Sequence, residues 1–396
     1  MSARRLRLGV AGLGRGFTLM LPTLTRHPRV ELVAAADPRA EARSRFTSDF
    51  GGRAYESVAA LCDDPAVEAV YVATPHQHHA EHAVTAAAHG KHVLVEKPMA
   101  ITLDEATRMI DAARARSVRL VVGPSHSFDA PIARARRIVA SGAVGKVRMI
   151  TAINYTDFLY RPRRPEELAT GRGGGVVFSQ AAHQVDIVRL IAGGRTSLVR
   201  ALTGAWDPQR PTEGAYAALL AFEDGAYASL AYSGYAHFDS DELCGGIGEL
   251  GHPKPGTHGE ARRALARSRG SDEAGAKAAR NYGGADYRKS DALAPWHEHF
   301  GPVIVSCERA DLRPMPNGVM IYGDDERRLD PLPPPVVPRA EVIDELVDAV
   351  FLDRPPLHDG EWGRATLEVC IGMLESARSS ADVRLTHQCA VRESLP

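Results

Sequence analysis

The 396-residue sequence predicts an α/β chain. It reads as an N-terminal doubly wound parallel sheet, then an α/β domain with a large, mostly antiparallel open sheet. Three observations predict this. Up to about Pro124, short apolar strands alternate with helical stretches. Beyond it, one helix precedes a succession of longer strand-like runs, as antiparallel sheets require. The first strand, in "RLGVAGLG", enters a glycine turn that opens a helix.

The elements follow in order. "TLMLPTLTRHP" is a helix with Pro22 near its start, and "VELVAAADP" a strand ending at Asp37. "PRAEARSRFTSDFG" is a helix stopped at Gly51. A short helix in "SVAALCDDPAV" precedes the strand "AVYVATP", ended by Pro75. "HHAEHAVTAAAHG" is a helix closed by Gly90, and "HVLVEKP" is another buried strand. "TLDEATRMIDAARARS" has Thr102 as N-cap and Glu105 three residues on, a capping-box spacing. "VRLVVGP" closes the first domain, expected over 1–124. The second, 125–396, begins with the helix "APIARARRIVASGAVGKV" and continues into "KVRMITAINYTDF", "LVRALTGAW", "AYAALLAFED", "GAYASLAYSGY", "PVIVSC" and "GVMIYGD". A polar, glycine-rich insertion is expected over 245–294, and "PLPPPVVP" is a stiff linker to C-terminal helices over 339–380.

Composition narrows the function classes. The formal net charge is -1, which points to neither nucleic acid nor an anionic membrane. The five cysteines are scattered without a CxxC pair, which argues for a reducing compartment and against a cysteine metal site. No apolar run approaches the ~20 residues of a membrane span, and no signal core precedes the first strand, so a cytoplasmic protein is expected. "HQHHAEH" sets His78 and His82 at i,i+4, but no metal is expected there.

The glycine turn "GVAGLGRGF" holds Gly12, Leu13, Gly14, Arg15, Gly16 and Phe17. Gly12 and Gly14 take the first two positions of G-x-G-x-x-G, where backbone approaches a pyrophosphate at a helix N-terminus. Phe17 stands in the third position, with Gly16 one place early. Asp37 ends the second strand, near the offset of a carboxylate that binds a ribose 2′-hydroxyl. It favours NAD; Arg39 keeps NADP open.

Five stretches, "GVAGLGRGF", "ADPRAEA", "VATPHQHHAEHA", "HVLVEKPMA" and "GRGGGVVFSQAAHQVDIVRLI", resemble the Gfo/Idh/MocA family of NAD(P)-dependent oxidoreductases. The resemblance implies a Rossmann domain and an open sheet that builds a homodimer or homotetramer. It carries cofactor contacts to Thr74, Pro75, His79 and Glu96. It makes Lys97 of the E-K-P motif the group that meets substrate and nicotinamide, and it implies a cis Lys97–Pro98 peptide. It makes His183 the second catalytic residue. Ser179 stands where the family has Asp, so Gln180 or Asp186 is expected to orient His183. The chemistry asks for such groups independently: oxidising an alcohol sends a hydride to the cofactor and a proton to a base, which a lysine of lowered pKa or a histidine supplies.

"GLGRGFTLMLPTL", "NYTDFLYRPRRPEEL", "WDPQRPTEGAY", "SGYAHFDSDELCG" and the insertion with "ELG" resemble the branch that oxidises phthalate 4,5-cis-dihydrodiol to 4,5-dihydroxyphthalate. That implies an aromatic dicarboxylate dihydrodiol as small-molecule partner. Arg161, Arg163 and Arg164 suit paired carboxylates. Tyr155, His126, Ser179 and Gln180 complete the expected substrate contacts. A sugar or cyclitol dehydrogenase and a non-catalytic NAD(H)-binding regulator stay open.

Overall fold

The computed structural model describes residues 4–256, 258–268, 272–289 and 292–392. Part of the expected 245–294 insertion, at 257, 269–271 and 290–291, therefore lies outside the described residues. The chain forms two compact units, and neither is one continuous stretch.

The first unit comprises Met1–Pro124, Asp272–Ala292 and Val337–Leu367. Its six strands are β1 (Leu6–Ala11), β2 (Val30–Ala36), β3 (Arg53–Tyr55), β4 (Ala69–Val72), β5 (His92–Val95) and β6 (Leu120–Val122). They pair in parallel in the order β3-β2-β1-β4-β5-β6, the doubly wound arrangement. Residues Ala69–Val72 of β4 are wholly buried, which is why they read as an unbroken apolar run. The connecting helices are α1 (Arg15–Arg26), α2 (Ala40–Phe50), α3 (Val58–Cys62), α4 (His79–Ala88) and α5 (Leu103–Ala115). The capping box of α5 is present: Glu105 N donates to Thr102 Oγ1 at 3.2 Å and Thr102 N to Glu105 Oε2 at 3.2 Å. Helix α1 starts earlier than its sequence suggests, at the glycine turn itself, so Pro22 lies inside it and not near its start.

Two stretches expected in the second domain belong to the first unit. The helix Ala340–Phe351 is held by Arg29, which bonds Asp344 at 2.8 Å and Asp348 at 2.5 Å. Val122 N donates to His358 O at 2.8 Å. The helical period announces these helices but does not say which sheet they cover. The segment Asp272–Ala292 returns as well, through Tyr282.

The second unit holds α6 (Ala130–Ala140), β7 (Val147–Tyr155), α7 (Ala182–Ala192), β8 (Thr196–Gly204), β9 (Ala215–Phe222), β10 (Tyr227–Ser233), β11 (Val303–Cys307), β12 (Asp311–Met315), β13 (Gly318–Tyr322), β14 (Arg327–Pro331) and β15 (Val383–Arg384). The nine strands run β14-β13-β12-β11-β7-β10-β9-β8-β15. Only the β10–β7 pairing is parallel. Strands β12 and β14 are not announced by the sequence, because each carries a proline and little apolar periodicity. Helix α7 is buried on every side, including His183, Gln184, Asp186 and Arg189, and is not the amphipathic helix its sequence suggests. Among the described residues, no helix is long and apolar enough to cross a membrane.

Candidate active site

In the first unit, the glycine turn has the geometry its sequence promises. Gly12 sits at φ +92°, and a Cβ there would lie 2.8 Å from Ala73 O. A Cβ on Gly14 would meet nothing within 4 Å. Gly14 is the N-cap of α1, with no side-chain cap and no acid in the first turn. Open space in front of uncapped backbone N–H groups fits a dinucleotide's pyrophosphate. Arg15 is exposed in the same turn. A Cβ on Gly16 would come 3.0 Å from Glu96 Oε1, so the turn packs closely on that carboxylate. Phe17 is fully buried and meets Tyr282 edge-on, centroids 5.1 Å apart. The missing third glycine is thus an aromatic packing site.

Asp37 is buried and its acceptor positions are filled. Its Oδ2 accepts from Leu13 N at 2.8 Å and Arg39 Nη2 at 3.1 Å; its Oδ1 accepts from Arg39 N at 2.9 Å and Nε at 3.0 Å. Thr74 and Pro75 follow β4, and Thr74 Oγ1 meets His82 Nδ1 at 3.0 Å. His79 spans Thr74 O and Pro98 O, each at 2.8 Å. Burial pushes it down to about 4, while the two carbonyls, which can only accept, favour a proton on each ring nitrogen. It ties the turn after β4 to the E-K-P motif. The Lys97–Pro98 peptide is cis, as the resemblance implied. Glu96 accepts from Tyr71 Oη at 2.5 Å, and burial raises its pKa against the opposing charge of Lys97.

In the second unit, the glycine run is a close-packing device. Gly175, at φ +82°, would place a Cβ 1.9 Å from Glu213 Oε1, and Gly174 one 2.5 Å from Glu166 O. The Glu213 carboxylate accepts from Val177 N at 3.2 Å and Thr212 Oγ1 at 3.1 Å, and from Thr170 Oγ1. A π-helical turn, Val177–Ala181, leads into α7. Ser179 donates to Gly175 O within this turn. Gln180 is half-buried beside it.

His183 lies among rings. Its centroid is 4.7 Å from that of His126 and 4.7 Å from that of Phe300. Tyr232 stacks on Phe300 at 6.2 Å and Tyr216 on Tyr232 at 5.6 Å, which extends an aromatic wall. His126 is gripped from both ends: Nδ1 meets Asp129 Oδ2 at 2.7 Å, and Nε2 meets Glu249 Oε1 at 3.3 Å. Burial opposes its charge, but the two carboxylates outweigh it and push His126 up to about 10. Of the two groups expected to orient His183, Asp186 accepts from Ser127 Oγ at 2.5 Å.

The three arginines separate. Arg161 pairs with Asp157 at 3.3 Å, keeps 47% of its side-chain surface open, and feels the charge of Glu249. The Arg163 guanidinium lies 3.6 Å over the Phe158 ring, and burial lowers it to about 10. Just ahead of both in sequence, Thr156 Oγ1 meets Tyr232 Oη at 3.1 Å. Arg163 also donates to Phe158 O at 2.5 Å and lies 3.9 Å from Glu167, and Arg164 is tied to its own turn by Glu166 at 3.0 Å and Glu167 at 3.6 Å. Tyr155 packs near Phe238 at 6.3 Å, and its backbone N bonds Ser240 Oγ at 3.0 Å. Asp129, Tyr232, Glu249 and Phe300 were not singled out from sequence. Glu249 had one signal, the "ELG" stretch; the other three come from distant elements. His126, Asp129 and Glu298 bring ligand-type atoms within 4.8 Å of one another.

The chemical capacity is clear in each unit. The first offers an anion-ready turn, a carboxylate–arginine pair and a lysine fixed beside a buried glutamate. The second offers an aromatic wall, a charged histidine touching a second histidine, and two guanidinium groups. That combination suits a planar anion.

Comparison with known proteins identifies the family. Residues 6–124 match the model of the oxidoreductase family with NAD-binding Rossmann fold, and residues 132–251 match the GFO/IDH/MocA C-terminal domain. A 1-carboxy-3-chloro-3,4-dihydroxycyclohexa-1,5-diene dehydrogenase of Comamonas testosteroni is 47% identical, over 94% of this chain and 95% of its own. The crystal structure of a candidate dehydrogenase from Bordetella bronchiseptica RB50 is similar at TM-score 0.91 and 45% identity, covering 96% of this chain and 100% of that one. The WlbA dehydrogenase of Bordetella pertussis, solved with NADH and UDP-GlcNAcA, shares the fold at TM-score 0.68 and 22% identity, covering 97% of this chain and 99% of that one. The chain belongs to the Gfo/Idh/MocA family of oxidoreductases, and its first domain is the family's NAD-binding Rossmann fold.

Proposed function

We propose that this dehydrogenase oxidises the cis-dihydrodiol of an aromatic carboxylate to the catechol, with phthalate 4,5-cis-dihydrodiol going to 4,5-dihydroxyphthalate. The observation that carries the reading is that the segment bearing Arg161 and Arg163 leaves β7 at Thr156, whose Oγ1 meets Tyr232 Oη at 3.1 Å on the aromatic wall of Tyr232 and Phe300. The ring would lie on the wall, and two guanidinium groups suit two carboxylates. The Comamonas testosteroni relative, by its name, acts on a ring with one carboxyl group, which supports a carboxylated dihydrodiol in general.

NAD, when bound, accepts the hydride from the carbinol carbon. Lys97 takes the hydroxyl proton on Nζ, with the adjoining Glu96 and Pro98 fixing where Nζ lies. His183 holds the second hydroxyl. The hydroxy-dienone left behind tautomerises to the catechol, and aromatisation draws the reaction forward. The Asp129 and Glu249 carboxylates favour a proton on His126, which suits an anionic ring beside it.

The protein acts as a homodimer or homotetramer. The outer face of the second sheet leaves Leu202 64%, Leu219 55%, Tyr227 49% and Ile304 46% exposed, in support of self-association.

A substrate panel tests the reading: NADH formation with dicarboxylated, monocarboxylated and carboxyl-free cis-dihydrodiols, and with polyols. The dicarboxylated diol is expected to give the highest kcat/KM. Preference for a monocarboxylated diol would narrow the arginine assignment to one residue, and preference for a polyol would reject the proposal.

A further inference from the structure

Residues Asp272–Ala292, although they follow the second domain's strands in sequence, fold against the cofactor domain. Their anchor is Tyr282. It is fully buried, meets Phe17 edge-on at 5.1 Å, and donates its hydroxyl to Asp49 Oδ2 at 2.7 Å. The next residue, Gly283, has φ +78°, and a Cβ there would come 2.7 Å from Ala42 Cα, so this backbone lies directly on the first turn of α2. That turn follows Asp37 and Arg39.

The Tyr282 carbonyl reaches the specificity pair. Arg39 Nη1 donates to Tyr282 O at 3.3 Å, Nη2 donates to Leu13 O at 2.9 Å and Asp37 Oδ2 at 3.1 Å, and Nε donates to Asp37 Oδ1 at 3.0 Å. Four of the five guanidinium N–H groups are therefore placed. A 2′-phosphate would need a guanidinium free to turn toward it, away from a carboxylate that repels it. Here the arginine is clasped onto the carboxylate, and one of the clasps comes from outside the Rossmann strand–turn–helix.

We infer that the Tyr282 segment is a cofactor-specificity element: by holding Arg39 on Asp37, it disfavours a dinucleotide with a 2′-phosphate against one with a free 2′-hydroxyl. It requires Phe17 in place of the third glycine, because the phenyl ring is the seat on which Tyr282 docks. The inference is independent of which alcohol the enzyme oxidises.

The test is direct binding. Dissociation constants for NADH and NADPH would be measured by nicotinamide fluorescence on the full chain, wild type and Tyr282→Ala, with folding checked by circular dichroism. The ratio Kd(NADPH)/Kd(NADH) is expected to fall roughly ten-fold as Arg39 is released, the value of one hydrogen bond to a charged group. Gly283→Ala, which lifts the same backbone without removing the ring, should shift the ratio in the same direction and serves if Tyr282→Ala does not fold. In an Arg39→Ala background Tyr282→Ala should shift nothing. An unchanged ratio in a folded variant would overturn the inference, and so would an equal loss of both affinities.

Discussion

The imidazole of His126 meets that of His183 at 4.7 Å between centroids and 65° between planes. One ring is a cation held by Asp129 and Glu249; the other is the histidine that the glycine run delivers. Two carboxylates thus favour a proton on a ring that lies directly against His183.

The charge on His126 makes stability depend on pH. The folded group keeps its proton to about 10, whereas an unfolded histidine loses it near ~6.5. The ion pairs therefore stabilise fully below about pH 6.5, and their contribution falls as pH rises toward 10. His126→Gln is expected to lower stability by about 3 kcal/mol at pH 6.5, because it leaves Asp129 buried without its cation. Urea midpoints of the two proteins should converge by pH 10; a gap independent of pH would contradict the assignment.

Lys97→Ala should reduce kcat by about a hundred- to ten-thousand-fold, the range for removing a positioned acid–base group. NADH should still bind. Stopped-flow turnover with separate NADH titration distinguishes this from a lysine that serves cofactor affinity alone.

Arg161→Met should raise KM for a carboxylated diol about ten-fold or more and leave that of a carboxyl-free analogue unchanged. Steady-state kinetics on the pair of substrates checks it. Equal effects on both would mean that Arg161 serves only Asp157.

Gly175→Ala forces a Cβ to within 1.9 Å of Glu213 Oε1 at φ +82°. It should cost about 2 kcal/mol or more and shift the π-turn that leads to His183. Thermal unfolding reads the first effect, and kcat the second.

Local chemistry was legible in the sequence, and distant company was not. The strand ending on Glu96, Lys97 and Pro98, the capping box of Thr102 and Glu105, and the turn at Gly12 and Gly14 are each written in a few consecutive residues. Their physics is equally local. Phe17 could be read only as a missing glycine, since its reason is Tyr282, far along the chain. Gln180 and Asp186 could be named as partners for His183 because they are its neighbours in sequence. His126, with its Asp129 and Glu249 partners, lies against His183 but far from it in the chain, so its company could not be read. The run Arg161, Arg163 and Arg164 looks uniform in sequence, yet Arg161 meets Asp157, Arg163 lies over the Phe158 ring, and Arg164 is held by Glu166 and Glu167. Helices over 340–351 and beyond were visible as helices, but their periodicity does not name the sheet they cover.

The central claim is tested most directly by incubating the purified protein with NAD and phthalate 4,5-cis-dihydrodiol, following NADH, and identifying the ring product by mass spectrometry. The account predicts one 4,5-dihydroxyphthalate for each NADH formed. NADH formation from a sugar or cyclitol, with none from any carboxylated dihydrodiol, would contradict it.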